Sequence, residues 1–279
     1  VSATFVVVPE WQGSGSSRAM RLIDGAEAIR GDLPRASTVV VEVPAGAGES
    51  LETGVQRYSS ITVVAEALTA ALDEVTDLPV VIGGDCGVEF AAVRHAVARS
   101  ARPVALVWFD AHPDLNTPRT SPSGAFHGMV LRTLLGGGPE QLAAEPVLDP
   151  GRVVLAGTRA LDDGEAEFVD AAGIALLPPD RIIDPAALVD AVRATGAEAV
   201  YLHVDLDVLD PAEIHGVAFP EPFGLGVADL TAALQALRAE FDLVGAGITE
   251  FAPATPDAAV DDLPAILRIV SALVRAPKE

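Results

Sequence analysis

Seven short runs rich in β-branched and other apolar residues recur along this chain, at positions 4–8, 38–43, 78–82, 104–109, 152–156, 200–204 and 243–248. Ala/Leu-rich segments at helical spacing separate most of them, at 61–72, 89–98, 185–194, 227–237 and 259–273. A strand that is apolar on both faces needs cover on both. Strands of this kind alternating with helices therefore predict an α/β fold built on a parallel sheet. The chain has 279 residues, 50% of them hydrophobic, enough to bury a large core, and no Pro/Ser-rich linker divides it. That length fits one large α/β domain or two small ones.

In open α/β sheets, function gathers beyond the carboxyl ends of the strands. Four such ends carry chemistry here: Gly83-Gly84-Asp85-Cys86, Asp110-Ala111-His112-Pro113-Asp114, Asp205-Leu206-Asp207 with Asp210-Pro211 behind it, and Thr249-Glu250. In extended backbone alternate side chains share a face, so Asp110, His112 and Asp114 point together, as do Asp205 and Asp207. Four carboxylates brought to one place repel one another unless divalent cations sit between them. The pattern reads as a two-metal site.

The formal charge of −22, from 18 basic and 40 acidic residues, disfavours nucleic acid and anionic membrane as partners. It is compatible with a cationic small substrate, but acidity of this kind also serves solubility alone and selects no ligand. The apolar stretches are strand-sized and interrupted by charges, so no transmembrane span is expected. A cationic flank with a long apolar region is not seen at the start of the sequence. The single cysteine, Cys86, excludes an intrachain disulfide, and the expected location is cytoplasmic.

Gly83 to Gly87, Phe109 to Asp114, Ser123-Gly-Ala-Phe-His127-Gly-Met129, His203 to Pro211 and Glu250-Phe-Ala-Pro253 together resemble the arginase (ureohydrolase) family. The motifs occur in unbroken order. The resemblance implies a three-layer α/β/α sandwich with a mostly parallel sheet, as one arginase-like domain over 1–279. It further implies two Mn²⁺ ions bridged by hydroxide, a small-molecule amino-acid substrate with a guanidino or formimino group, and a possible homo-oligomer. By the same resemblance, Asp110 and Asp205 would bridge both metals. Asp114 and Cys86 would complete the first, His112 and Asp207 the second. His127 matches the histidine that delivers a proton to the departing amine, and Glu250 the acid that pairs with the guanidinium group. Asn116, Ser121 and Ser123 match positions that hold an α-carboxylate, and Asp162 an acid that contacts the α-amine. Ala125 stands where arginases usually carry Asn.

One departure bears on the substrate. The family motif Gly-Gly-Asp-His-Ser is here Gly83-Gly84-Asp85-Cys86-Gly87. The thiol could be inert filler, or mark a site that has lost a metal, or ligate as thiolate. Ligation is the reading adopted, because the other five ligand positions are intact. A thiolate makes the cluster one charge more negative than a neutral imidazole does, and as a softer donor it suits Mn²⁺ less well. Weaker hold on oxygen ligands would favour Nω-hydroxy-L-arginine, whose hydroxyl blocks ordinary arginases. The Cys variant resembles members of an antibiotic-biosynthetic branch that convert this compound to hydroxyurea and L-ornithine. An ordinary arginase, another guanidino- or formimino-acid hydrolase, and a non-catalytic binding protein are the alternatives.

Other conspicuous residues receive plainer readings. His95, His203 and His215 are expected to be exposed or satisfied within the core, with His203 placed to support Asp205 at most. Asp85 is expected to orient its loop or a ligand, and Asp210-Pro211 to form a turn that supports the ligands without being one. Gly13-Ser14-Gly15 lacks the spacing of a phosphate loop, and Trp11 and Trp108 read as packing residues.

Overall fold

A computed structural model describes residues 2–275 apart from 143, 144 and 146, so the ends of the 1–279 unit lie outside the described residues. The strands are β1 (Ala3–Val8), β2 (Thr38–Val40), β3 (Leu78–Gly83), β4 (Val104–Phe109), β5 (Val153–Ala156), β6 (Ala175–Leu177), β7 (Ala199–Asp205) and β8 (Asp242–Thr249). They form one sheet in the order β2-β1-β3-β8-β7-β4-β5-β6, and each neighbouring pair is parallel. The helices are α1 (Arg21–Gly31), α2 (Tyr58–Asp73), α3 (Glu89–Arg99), α4 (Val130–Leu134), α5 (Asp163–Ala172), α6 (Pro179–Ile182), α7 (Pro185–Ala194), α8 (Val227–Glu240) and α9 (Ala259–Val274).

The two-residue period of the strands sorts their side chains into two cores. Ala105, Val107 and Phe109 of β4 pack with Val200, Leu202 and Val204 of β7 against residues of α1, α7, α8 and α9. Val104, Leu106 and Trp108 join Ala199 and Tyr201 on the opposite face, against α2, α3, α4 and α5. The result is the expected three-layer sandwich. Among the described residues no helix is long and apolar enough to cross a membrane.

Local sequence explains several boundaries. Asp162 and Glu165 close a capping box at the start of α5, and Gly173, at φ +67°, ends that helix in the left-handed conformation. Asp184 accepts from the Ala186 amide, with Pro185 opening α7. Two differences from expectation lie at the sheet edges. The run at 38–43 forms a strand only over Thr38–Val40, and β6 is a strand that apolar runs alone do not reveal. Both have three residues and a single neighbour, so less pairing and burial extend them. The helices α1 and α5 are likewise not singled out by periodicity.

Candidate metal centre and substrate cavity

Strand order, not chain order, builds the site. β3, β8, β7 and β4 lie side by side, so their carboxyl ends put Cys86, Glu250, Asp205 and Asp110 in one place although 164 residues separate the first two along the chain. Close backbone approach fixes the Cys86 loop. A Cβ on Gly84 would lie 1.7 Å from the Glu10 carbonyl oxygen, so only glycine fits there. Asp85 accepts from the amides of Gly13 (2.9 Å) and Gly87 (2.7 Å), which is the loop-ordering role expected of it. Asp210 accepts from Ala212 and Gly224 amides and forms a turn. Asp114 and Glu250 both adopt positive φ, +51° and +66°, conformations that non-glycine residues seldom hold outside functional loops.

Two groups of donor atoms converge. One consists of Asp110, His112 and Asp207; the other of Cys86, Asp110, His203 and Asp205. Asp110 belongs to both. His112 Nδ1 lies 3.0 Å from Asp207 and 3.6 Å from Asp110. The Cys86 sulfur, 1% exposed, lies 3.1 Å from the Asp205 carboxylate oxygen Oδ2 and 3.2 Å from the Thr249 hydroxyl. Asp114 belongs to neither group, but it lines the adjoining cavity with Oδ2 buried and unpartnered.

The electrostatics of these donors suit divalent cations. Burial pushes the Asp205 and Asp114 carboxyls well up, and neighbouring carboxylates push them further. Asp207 rises to about 6 for the same reasons, against the opposing pull of His112. Burial would raise Asp110 too, yet contact with His112 and His203 holds it below the usual carboxylate range. Burial would lower His112, but Asp110 and Asp207 push it up to about 12. Burial and the surrounding acids push the Cys86 thiol far up. A cation reverses this balance, because it favours every deprotonated donor at once. Oxygen, nitrogen and sulfur donors are all present, so the residues fit a metal pair.

The adjoining cavity of about 380 Å³ has a size suited to a small ligand. Glu250 Oε1 accepts from the Cys86 amide at 3.2 Å and lies 3.5 Å from His127 Nδ1, while Oε2 is buried without a partner. Burial would lower the pKa of His127, but Glu250 and Asp85 outweigh it and the net direction is up. Asn116 and Asp162 line the far end and are bonded to each other at 2.9 Å. Ser121 and Ser123 also line it; each hydroxyl caps the turn they share, accepting from Gly124 and Ala125 amides respectively. Every site residue expected from sequence is thus at this cavity or in the two donor groups.

Sequence reading missed others. His203 is fully buried inside a donor group. Trp108 does more than pack: its Nε1 donates to Asp110 Oδ2 at 3.1 Å, and its ring stacks on His203 at 3.6 Å between centroids. Strand parity carried a signal for both. His203 and Asp205 are two residues apart on β7, and Trp108 pairs directly with His203 across the β4–β7 register. Glu165 and Phe219 also line the cavity, the latter 5.2 Å from the His127 ring.

The arginase family model matches residues 17–270. The arginase of Bacillus caldovelox is 34% identical over 229 residues, 76% of each chain. The N(omega)-hydroxy-L-arginine amidinohydrolase of Streptomyces lavendulae is 30% identical over 94% of this chain and 90% of its own. Among solved structures, the arginase of Entamoeba histolytica in complex with L-ornithine superposes with a TM-score of 0.85 over 97% of both chains, at 23% identity, a likeness of fold. The matched span takes in all four acid-bearing strand ends, and on that ground the chain belongs to the arginase family, hydrolases that act on amidino carbon–nitrogen bonds.

Proposed function

We propose that this chain hydrolyses the guanidino group of an arginine derivative, with Nω-hydroxy-L-arginine as substrate and hydroxyurea and L-ornithine as products. One observation carries the reading: the Cys86 sulfur, buried at the edge of the apolar core, lies 3.1 Å from Asp205 Oδ2 in the carboxylate cluster. Two divalent cations, with manganese suited to the oxygen and imidazole donors around His112, supply Lewis acidity when bound. Cys86, Asp110, His112, Asp114, Asp205 and Asp207 are the proposed ligands. The unpartnered Glu250 Oε2 is free to accept from the guanidinium and hold its carbon in position. His127, beside Glu250, holds the proton that the departing nitrogen takes. Asn116, Ser121 and Ser123 receive the α-carboxylate and Asp162 the α-amine. Ala125 leaves the carboxylate grip short of an amide side chain.

The extra negative charge of a Cys86 thiolate weakens the site's hold on the substrate's hydroxyl oxygen, which would otherwise block hydrolysis. The 30% identity to the Streptomyces lavendulae N(omega)-hydroxy-L-arginine amidinohydrolase over 94% of the chain supports that substrate; a role in antibiotic biosynthesis is proposed from the Gly-Gly-Asp-Cys motif alone. The second reading is an ordinary arginase, favoured by the 34% identity to the Bacillus caldovelox enzyme. We take 1–279 as one functional unit and, from the lone cysteine, a cytoplasmic location. The test supplies Mn²⁺-loaded protein with L-arginine, agmatine and Nω-hydroxy-L-arginine in parallel and quantifies urea, hydroxyurea and ornithine. Hydroxyurea in excess is expected; urea from arginine far exceeding it would make this an ordinary arginase.

A further inference from the structure

An imidazole absent from the loop after β3 is present in the same corner from another direction. His203, on β7, points toward the α2–α3 face by strand parity and is 0% exposed. Its Nε2 lies 3.7 Å from the Cys86 sulfur and 3.9 Å from Asp110 Oδ2. Its Nδ1 lies 3.7 Å from Glu89 Oε2 at the start of α3. Glu89 is fully buried, and neither of its carboxylate oxygens has a hydrogen-bond partner; nor has His203 Nδ1. A buried, unpartnered carboxylate is costly unless a neighbour offsets it. A histidine with one ring nitrogen toward a carboxylate and the other toward a donor cluster has the arrangement of a metal ligand fixed from behind. Trp108, stacked on the ring, sets its plane.

We propose that in the zinc-loaded chain His203, and not Asp114, which lies outside both donor groups, is the fourth donor of the Cys86 corner, so that sulfur, imidazole and the Asp110 and Asp205 carboxylates form a four-coordinate site that prefers a softer divalent cation such as zinc. This assignment rests on the metal-dependent reading of the site and adds a ligand that the family pattern does not supply. Metal–sulfur and metal–nitrogen or –oxygen bonds of zinc length give tetrahedral edges of about 3.3–3.6 Å. The measured separations of 3.1, 3.7 and 3.9 Å bracket that value. Glu89 is a positioning residue: its carboxylate, 3.7 Å from Nδ1, favours the proton on that nitrogen and so leaves the Nε2 lone pair for the metal. The His112 corner has no sulfur and remains the harder of the two.

The test is X-ray absorption at the zinc edge on the whole chain loaded with one equivalent of zinc. One sulfur and one imidazole around the same ion are expected. Sulfur without imidazole, or imidazole without sulfur, overturns the proposal. Asp110→Asn weakens both corners and so cannot serve as a control; His203→Gln can. It should retain the sulfur, lose the imidazole and bind zinc at least about 10–100-fold more weakly, the range expected even for loss of a supporting partner. Imidazole persisting in His203→Gln would assign it to His112 and refute the inference. Glu89→Gln should keep both scatterers and loosen zinc by about 10–100-fold; unchanged affinity would remove Glu89 from the device. Because coordination is read directly, a chain with this signature but without hydroxyurea production would fail the proposed substrate and leave the site intact.

Discussion

His127 and Glu250 show how one contact sets a chemical role. Burial alone would make the imidazole a poorer proton carrier near neutrality, but Glu250 at 3.5 Å holds the proton on. A proton donor works in its protonated form, so activity should fall as pH rises through the His127 pKa, and its elevation places that alkaline limb above pH 6.5. His127→Asn should lower kcat by about 10²–10⁴-fold, with KM little changed, and flatten the limb. A pH profile of kcat in both proteins checks this. Cys86→His restores the family's ligand and should raise L-arginine turnover together with inhibition by Nω-hydroxy-L-arginine. Steady-state kinetics with both compounds would reject the charge argument if neither property moved. The positions of Cys86, Asp110 and Asp205 were legible in sequence because each ends an apolar strand or lies within three residues of its end. His203 was not, since a histidine inside such a run looks like any satisfied core residue until its neighbours on β4 and α3 are known.

At the scale of elements, the site depends on how closely the loop after β3 approaches the segment after β1. Gly84→Ala would drive a Cβ against the Glu10 carbonyl and push the Cys86 loop outward. The expected cost is about 1–3 kcal/mol, the range for overpacking a tight contact, with reduced bound metal per chain. Urea denaturation and metal analysis on the same sample measure both. Full stability with full metal content would show that the loop yields freely. The central strands β3, β4, β7 and β8 matched their apolar runs because two neighbours and two covered faces impose an unbroken hydrophobic pattern. The edge strands β2 and β6 carry no such constraint, and α5 is announced by its caps more than by its apolar face.

For the whole molecule, the acid cluster links metal content, pH and folding. Raised carboxylates such as Asp207, at about 6, contribute stability fully below their unfolded pKa and lose it as pH rises through the folded value. His112, raised to about 12, also loses its contribution upward, beginning above the unfolded value near 6.5. Depressed Asp110 acts in the opposite sense only at acid pH. Between pH 5 and 8 the chelated protein should therefore lose melting temperature steadily. Metal binding needs deprotonated donors, so the gain in melting temperature on adding Mn²⁺ or zinc should grow over the same interval. Scanning calorimetry with and without chelator tests this; parallel pH curves would mean the cluster does not bind the ions.

Apolar runs of strand length, four of them leading into acids, were enough to indicate a covered parallel sheet and the residues at its working edge, because local pattern records which faces are buried. Pattern along the chain says nothing about which strands become neighbours. The placement of β8 and β7 between β3 and β4 brings Cys86, His203 and Glu89 within reach of one another, and that order is set by how helices pack across the two faces of the sheet.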